Sequence, residues 1–408
     1  MDSIIFRIVI GGRSVMNLIF FSPHFPKNCT EFCYQLKKIG INVLGIGDAD
    51  YNSLNDKLRY SLTEYKKVDS MENYDEIVRT VGYFTHRYGK IDRFESLNEH
   101  WLELEAKIRT DFNIYGTKLD FVTNLVQKSK MDIYFKKAGV HTIQCMTSLD
   151  WDLDQDQAKK FVEKVGYPIV VKPNQGSGAK MTYKISNALE LEQFFTNKPS
   201  GVDFILQEYI DGIIQTYDGL VNKDGKIVFA ASHEFPHSIM DAVNSGNHFN
   251  YYCLKEVSKE IEEAGRKIIS AYEIKERFFH IEFFKSKVNG RIIALEVNMR
   301  PPGTWMTDAI NYTYDIDVYQ LWANMVVNNQ VEGLFIGKYN TGFASRKNHI
   351  NYIYSHDEIM QNYWNKMVNF GSIEDKLSQS RGNYAYQFRS ANLDEVKEII
   401  SFIHATEI

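Results

Sequence analysis

Two carboxylates and an amide lie inside apolar β-type runs on either side of residue 289. The first run is Phe279-His280-Ile281-Glu282-Phe283-Phe284. The second is Ile292-Ile293-Ala294-Leu295-Glu296-Val297-Asn298-Met299-Arg300, and Asn289-Gly290 stands between them. A glutamate or asparagine among Ile, Leu, Val and Phe is costly to bury unless a charge or hydrogen bond compensates it. Magnesium on nucleotide phosphates is one such compensation, because it takes oxygen ligands only, usually one or two carboxylates with phosphate and water. Glu296 and Asn298 are two positions apart, so a strand points both to one face. A two-residue turn at Asn289-Gly290 would set Glu282 against Val297. An odd loop centred on Asn289, closed by a glycine bulge, sets it against Glu296. The odd loop is expected here, since opposed carboxylates repel unless a cation lies between them. The competing reading is a surface hairpin with solvated glutamates.

Cations suited to the same anion stand upstream. Tyr167–Lys172 reads as a short buried strand ending in a lysine, followed by Pro173-Asn174-Gln175-Gly176-Ser177-Gly178-Ala179. Glycines flanking a serine let backbone N–H groups approach a phosphate, and Lys172 adds a point charge. Ser129-Lys130-Met131-Asp132 fits a capping-box helix start, with Met131, Tyr134, Phe135 and Ala138 at helical spacing and Gly139 as the stop. Lys130 then lies in the first turn, where the helix dipole disfavours a cation unless an anion joins it. A solvated lysine is the alternative. Phe204–Ile210 reads as a strand entering a linker whose backbone can bond an adenine edge, with Tyr209 and Ile210 against the base. His233 and His237 follow the strand that ends at Ala231, and hydrogen-bonded histidines without a substrate role are the expectation there.

The remaining elements must position these groups. Leu18–Phe21, Asn28–Ile39 and Val43–Ile46 give a strand–helix–strand opening, which implies a doubly wound parallel sheet. Gly45-Ile46-Gly47-Asp48 lacks the third glycine of a dinucleotide fingerprint and follows the second strand, so nicotinamide binding is not expected. Asn98 is expected to cap a helix running to about Arg109. Thr216–Val221 and Lys226–Ala231 form a hairpin around Asp224-Gly225, and a helix near Lys255–Tyr272 precedes the carboxylate hairpin. The tail carries strands around Phe343, Tyr384, Tyr386 and Phe388 and an amphipathic helix at Leu393–Ile403. Arg346 and Arg389 there are candidates to meet a substrate carboxylate.

The chain has 408 residues, 44% hydrophobic and 14% aromatic, with a net charge of −5. That is globular, long enough for two to four modules, and without a nucleic-acid footprint. No apolar run approaches the roughly 18 residues of a membrane span. The stretch Met1–Phe21 is broken by Arg7, Arg13 and Asn17 and is not read as a signal peptide. Met16 is an alternative start. Cys29, Cys33, Cys145 and Cys253 make neither a zinc nor a redox pattern, which fits a reduced, cytoplasmic protein.

Taken in order, these pieces resemble the ATP-grasp superfamily, and within it the carboxylate–amine (or carboxylate–thiol) ligases. The matching residues are Lys130 before a helix, Lys172 through Ala179, Gln207-Glu208-Tyr209-Ile210-Asp211-Gly212, Glu282, and Glu296-Val297-Asn298-Met299-Arg300. The resemblance implies mixed α/β and α+β architecture. Residues 1–15 would be an extension, 16–119 a Rossmann-like pre-ATP-grasp domain, 120–205 the small grasp subdomain, 206–330 the large one, and 331–408 an extension packed on the grasp. It further implies ATP with Mg2+, or Mn2+ in its place. Lys130 and Lys172 would contact phosphates, Gly176, Ser177, Gly178 and Ala179 would form a lid, and Gln207, Glu208, Tyr209 and Ile210 would line the adenine hinge. Glu282, Glu296 and Asn298 would hold the metal. Arg300 would face the γ-phosphate and, with Lys172, act in catalysis. The implied partners are a small-molecule carboxylate and amine, with no nucleic acid or membrane; a homo-oligomer stays open. Phosphorylation, carboxylation and non-catalytic nucleotide binding are the alternatives. Many relatives hold the ribose with a Glu just past the hinge, which this chain lacks; Gln215 or Asp218 is left for that contact.

Overall fold

The computed structural model describes residues 9–10, 13–147, 153–176, 181–237 and 247–407. Its first sheet is parallel, in the order β3-β2-β1-β4, from strands β1 (Asn17–Phe21), β2 (Asn42–Gly47), β3 (Glu64–Lys67) and β4 (Arg93–Glu95). Alternation along β1 decides its two cores. Leu18 and Phe20 join Val43 under helix α1 (Cys29–Lys38), while Ile19 and Phe21 join Leu44, Ile46, Ile77, Val81 and Phe84 on the other face. Burial on both faces is what a parallel sheet requires. Cys29 and Cys33 sit one helical turn apart and are both buried in the α1 interface.

The second sheet is antiparallel, in the order β5-β8-β6-β7. Its strands are β5 (Cys145–Thr147), β6 (Ile169–Pro173), β7 (Tyr183–Ile185) and β8 (Phe204–Glu208). Ile169, Val171, Phe204 and Leu206 pack there with Phe161, Leu191 and Phe194 from two helices.

The third sheet carries the site. It has eight antiparallel strands in the order β13-β12-β9-β10-β11-β14-β16-β15. These are β9 (Gly212–Val221), β10 (Ile227–Phe235), β11 (Asn250–Leu254), β12 (Arg277–Ser286), β13 (Ile292–Asn298), β14 (Asn340–Arg346), β15 (Met367–Ser372) and β16 (Tyr384–Ser390). The tail strands β14 to β16 therefore continue this sheet through the β11–β14 pairing. One core runs from α1 to this sheet: Phe32 packs edge-on against Phe278, Tyr319 and Trp322. Gln35 also donates to Asp317 at 2.6 Å. The parallel domain is thus fixed against the strands that carry the carboxylates.

Two local expectations need correcting. The hairpin loop is even rather than odd: Lys287–Gly290 are enclosed by Ser286 and Arg291, with the Ser286 N–H on the Arg291 carbonyl at 3.0 Å and the Gly290 N–H on the Ser286 carbonyl at 2.8 Å. Phe283 pairs with Ala294, but Glu282 pairs with Glu296, so Leu295 is an extra residue on β13. A bulge within the strand, not the turn, opposes the two carboxylates. The second correction concerns α2 (Lys128–Lys137), which starts at Lys128 after Gln127, without a side-chain cap of its own. Asp132 accepts from Lys136 and Thr142 instead of closing a capping box.

The last helix, Leu393–Ile403, ends on a buried histidine. His404 stacks on His248 at 3.8 Å and donates its Nε2–H to the Ser345 carbonyl at 3.0 Å. Burial, then the charges of His248, Arg346 and His237, push its pKa from 6.5 down to about 3. The unfolded chain takes this proton near pH 6.5, so folded-state stability is lost progressively as pH falls from there towards 3. His404→Gln is expected to move the acid-unfolding midpoint, followed by circular dichroism, to lower pH than wild type.

Candidate active site

The paired carboxylates form on β12 and β13, and four cationic or polar groups converge on them. Lys172 lies at the end of β6 and is buried. Burial lowers its pKa to about 8, against the pull of Glu296 and with the push of Lys128; Glu282 also acts on it. Lys128, the first residue of α2, is buried, reaches Glu296 at 3.4 Å and donates to the Gly176 carbonyl at 2.6 Å. Asn174 joins these elements. Its carbonyl and side-chain oxygen accept the N–H groups of Lys128 and Ser129, both at 2.9 Å, while its amide donates to Asp203 at 2.7 Å. Those two N–H groups are orphan donors of the helix start, so the residue just past β6 caps α2 from a distance.

The lysine expected from the sequence does not enter the site. Lys130 is exposed, because the helix starts two residues earlier than a cap at Ser129 would require, and Lys128 turns inward. Gly176 is present, with φ +105°, a conformation that glycine tolerates. Ser177, Gly178 and Ala179 lie outside the described residues.

The two glutamates are not equivalent. Burial pushes the Glu282 carboxyl up, but the His280 hydrogen bond and the charges of His280, Arg300 and Lys172 hold it below its ordinary range. Glu296 is raised, by burial and by Glu99 and Glu282, against the pull of Lys128 and Lys172. Two facing carboxylates that separate in this way lack positive charge between them. The side-chain oxygen of Asn298 is buried with no partner among the described residues. No group of three or more His, Cys, Asp and Glu side chains able to hold a metal is present among them either. Two carboxylates and an amide oxygen fit a Mg2+ whose remaining ligands come from phosphate and water.

Behind Glu282 runs a buried relay. His280 Nε2 donates to Glu282 at 3.1 Å, and its Nδ1 to Asp218 at 2.5 Å. The other oxygen of Asp218 accepts from His233 Nδ1 at 2.7 Å and from the Thr216 hydroxyl, and His233 Nε2 donates to the Met306 carbonyl at 3.2 Å. Each imidazole faces two acceptors, so both carry two protons. Burial opposes this for His233, but Cys253 and Asp218 outweigh it and raise its pKa to about 10. His280 is raised and Asp218 lowered by their mutual attraction, against burial. Asp218 is thus neither a turn cap nor a solvent-facing ribose ligand, and His233 is fully buried in the interior.

Arg300 follows Asn298 by two residues and meets the parallel domain. Its Nε and Nη2 donate to Glu99 at 3.2 and 3.0 Å, and Nη1 donates to the Pro301 carbonyl. Asn98 caps the short turn Glu99–Trp101, as expected of it. Arg277 donates to the Met299 carbonyl at 3.2 Å and to Glu105 at 3.1 Å, which holds the backbone between Asn298 and Arg300.

The hinge residues line the end of β8. Gln207 is buried beside Cys145. Glu208 accepts from the Gln144 N–H and side chain, both at 3.0 Å, and Tyr209 lies under Lys184 at 4.2 Å. Ile210 is half-buried. Gln215 donates to Glu234 at 2.6 Å, and its own oxygen is buried without a partner among the described residues. Gly45 and Gly47 face the Tyr65 ring, where a β-carbon would collide, which explains their glycines by packing. Arg346 bonds the Ile403 and Tyr354 carbonyls, and Arg389 bonds the Tyr312 carbonyl and Asp315. Neither reaches the glutamates. Arg381, another tail arginine, feels the charges of Glu282 and Arg300.

Residues 165–309 match the protein-family model of the ATP-grasp domain. A Bacillus subtilis L-arginine-specific L-amino acid ligase is 22% identical over 251 residues, 59% of this chain and 59% of that protein's length. The large chain of carbamoyl phosphate synthase from Thermoanaerobacter pseudethanolicus is 23% identical over 207 residues, 49% of this chain and 18% of that one. The matched region thus spans less than two thirds of each relative's length. The fold is similar to that of an L-amino acid ligase from Bacillus licheniformis, with a TM-score of 0.73, 16% identity, and 95% and 96% of the two chains covered. It is also similar to N5-carboxyaminoimidazole synthetase from Staphylococcus aureus complexed with ADP, with a TM-score of 0.68, 15% identity, and 97% and 98% covered. Residues 165–309 thus match an ATP-grasp domain, within a fold that nearly the whole chain shares with these two structures.

The relay is a stability element as well as a support for Glu282. Asp218→Ala leaves two buried imidazoliums without their shared counter-charge, which costs about 3–5 kcal/mol when a buried pair is broken this way. Urea denaturation is expected to show a loss of that order, with Asp218→Asn intermediate.

Proposed function

We propose that this chain is an ATP-dependent ligase that joins a carboxylate to an amine through an acyl phosphate, releasing ADP and phosphate. The observation that carries this reading is the opposition of Glu282 and Glu296 beside the Asn298 oxygen, which has no partner among the described residues, with Lys128 and Lys172 acting on the pair. Glu282, Glu296 and Asn298 would hold Mg2+ (or Mn2+), which would supply charge to neutralise the phosphates. Lys128, Lys172 and the loop at Gly176 would hold the phosphates, with Gln207–Ile210 along the adenine. Arg300 offers a planar fork to the transferring phosphoryl group once ligand competes with Glu99 for it. The carboxylate substrate attacks the γ-phosphorus, ADP leaves, and the amine then displaces phosphate from the acyl carbon. Such chemistry asks the protein mainly for position and charge, which agrees with a site rich in Lys, Arg and Glu.

The domain division outlined from the sequence belongs to the same reading, as does a cytoplasmic setting. Its four cysteines are free, and no helix among the described residues is long and apolar enough to cross a membrane.

A coupled assay of ADP release, with ATP, Mg2+ and crossed panels of acids and amines, tests this function. ADP release that requires both an acid and an amine is expected. Release with an acid alone, without product bond formation, points to a kinase or carboxylase, and tight ATP binding with no release under any pair contradicts catalysis. In the active pairing, Lys128→Ala, Lys172→Ala, Glu296→Ala and Arg300→Ala are each expected to lower turnover on the order of 10²-fold. Lys130→Ala is expected to stay within about twofold, as a solvated surface residue should.

A further inference from the structure

Arg381 ends the helix Asp375–Arg381, beyond β15, and is half-buried. Its guanidinium lies 4.7 Å from the centre of the Phe249 ring. Among the described residues it makes no salt bridge and donates no hydrogen bond, although a guanidinium carries five donors. Burial works against its charge, and the charges of Tyr251, Glu282 and Arg300 act on it. The Tyr251 hydroxyl is also buried with no partner among the described residues. Tyr251 is fixed by stacking on Phe343 at 4.7 Å, and Phe343 meets Trp305 edge-on at 5.6 Å. Trp305 follows the segment that carries Arg300, and its carbonyl is held by Gln387 at 2.6 Å. A half-buried cation with no anion among the described residues, beside a hydroxyl equally without a partner there, is a costly arrangement unless a ligand joins it.

We infer that Arg381 and Tyr251 anchor a substrate carboxylate next to an apolar side chain, within reach of the Glu282 and Arg300 corner. This rests on the ligase reading and extends it to a substrate class, amino acids with apolar side chains. Arg381 supplies a planar fork matched to a carboxylate, and Tyr251 adds one donor. The aromatic ground of Phe249, Tyr251 and Trp305 suits an apolar side chain and opposes a charged one. The carboxylate held is either the one activated by ATP or the spectator carboxylate of an amino acid that serves as the amine.

The test is calorimetric titration of the whole chain, loaded with Mg2+ and a non-hydrolysable ATP analogue. The probes are L-phenylalanine, L-leucine and L-methionine, each against its amide. At least one acid is expected to bind, with its amide weaker on the order of 10- to 100-fold, the cost of unpairing a charge-assisted bond. Arg381→Gln is expected to abolish that preference and Arg381→Lys to keep part of it, with both variants melting near wild type. Equal binding of acid and amide, no binding of any acid, or an undiminished preference in Arg381→Gln overturns the anchor. Hydroxamate formation with hydroxylamine separates the two carboxylates. A raised KM for the acid there, in Arg381→Gln, assigns the anchor to the activated carboxylate. A KM raised only for the amino-acid amine in the complete reaction assigns it to the acceptor. An intact calorimetric preference without ADP release from any pair sinks the ligase reading and leaves the anchor standing.

Discussion

Two glutamates held face to face across neighbouring strands set the terms for everything around them. Carboxylates so placed repel one another, and partial burial strengthens the repulsion. The fold answers with positive charge from three separate elements: Lys172 from a strand end, Lys128 from a helix start, and doubly protonated His280 from the strand that bears Glu282 itself. Even so, the pair stays unequal, with Glu282 held down and Glu296 pushed up. The remaining deficit of positive charge is what a divalent ion would supply. A metal site here would be defined less by a cluster of ligands than by an electrostatic gap.

Rigid parts hold that gap open. The bulge at Leu295 creates the opposition, and the relay through Asp218 and His233 ties Glu282 to the middle of the eight-stranded sheet. The parallel domain braces the other end, through Glu105, Arg277 and the Met299 carbonyl, and through Glu99 on Arg300. Asn174 locks the two lysine-bearing elements together. These contacts join segments distant in sequence, and each constrains a group at the candidate site. Preorganisation of this kind lets a site act on charge without rearranging during the reaction.

Much of this was legible in the residues because local rules carry it. Apolar runs and alternation marked many strands of the three larger sheets and the shared face of Glu296 and Asn298, but not the short strands Glu64–Lys67, Arg93–Glu95, Cys145–Thr147, Asn250–Leu254 and Met367–Ser372; the strand-end position of Lys172 marked the loop after it. What stayed hidden depends on contacts between distant segments. Lys128 was passed over for Lys130 because a plausible capping box drew the helix start too late, while the true cap, Asn174, is more than forty residues away in the chain. The glutamate pairing was expected, but from the wrong device, since a turn leaves a sequence signature and a bulge at a leucine leaves none. His280 could have been found: it shares the Glu282 face by simple alternation and pairs with Asn298. Arg381 could not, because nothing local separates it from Arg346 or Arg389, which settle on backbone carbonyls.

The most direct measurement is a crystal structure of the protein with ADP and Mn2+, phased to show the anomalous signal of the metal. The account predicts a peak between the Glu282 and Glu296 carboxyls, within bonding distance of both, with the phosphates between it and Lys128 and Lys172. Nucleotide bound without metal at that point, or a metal held elsewhere while the two carboxyls stay facing and empty, would contradict it.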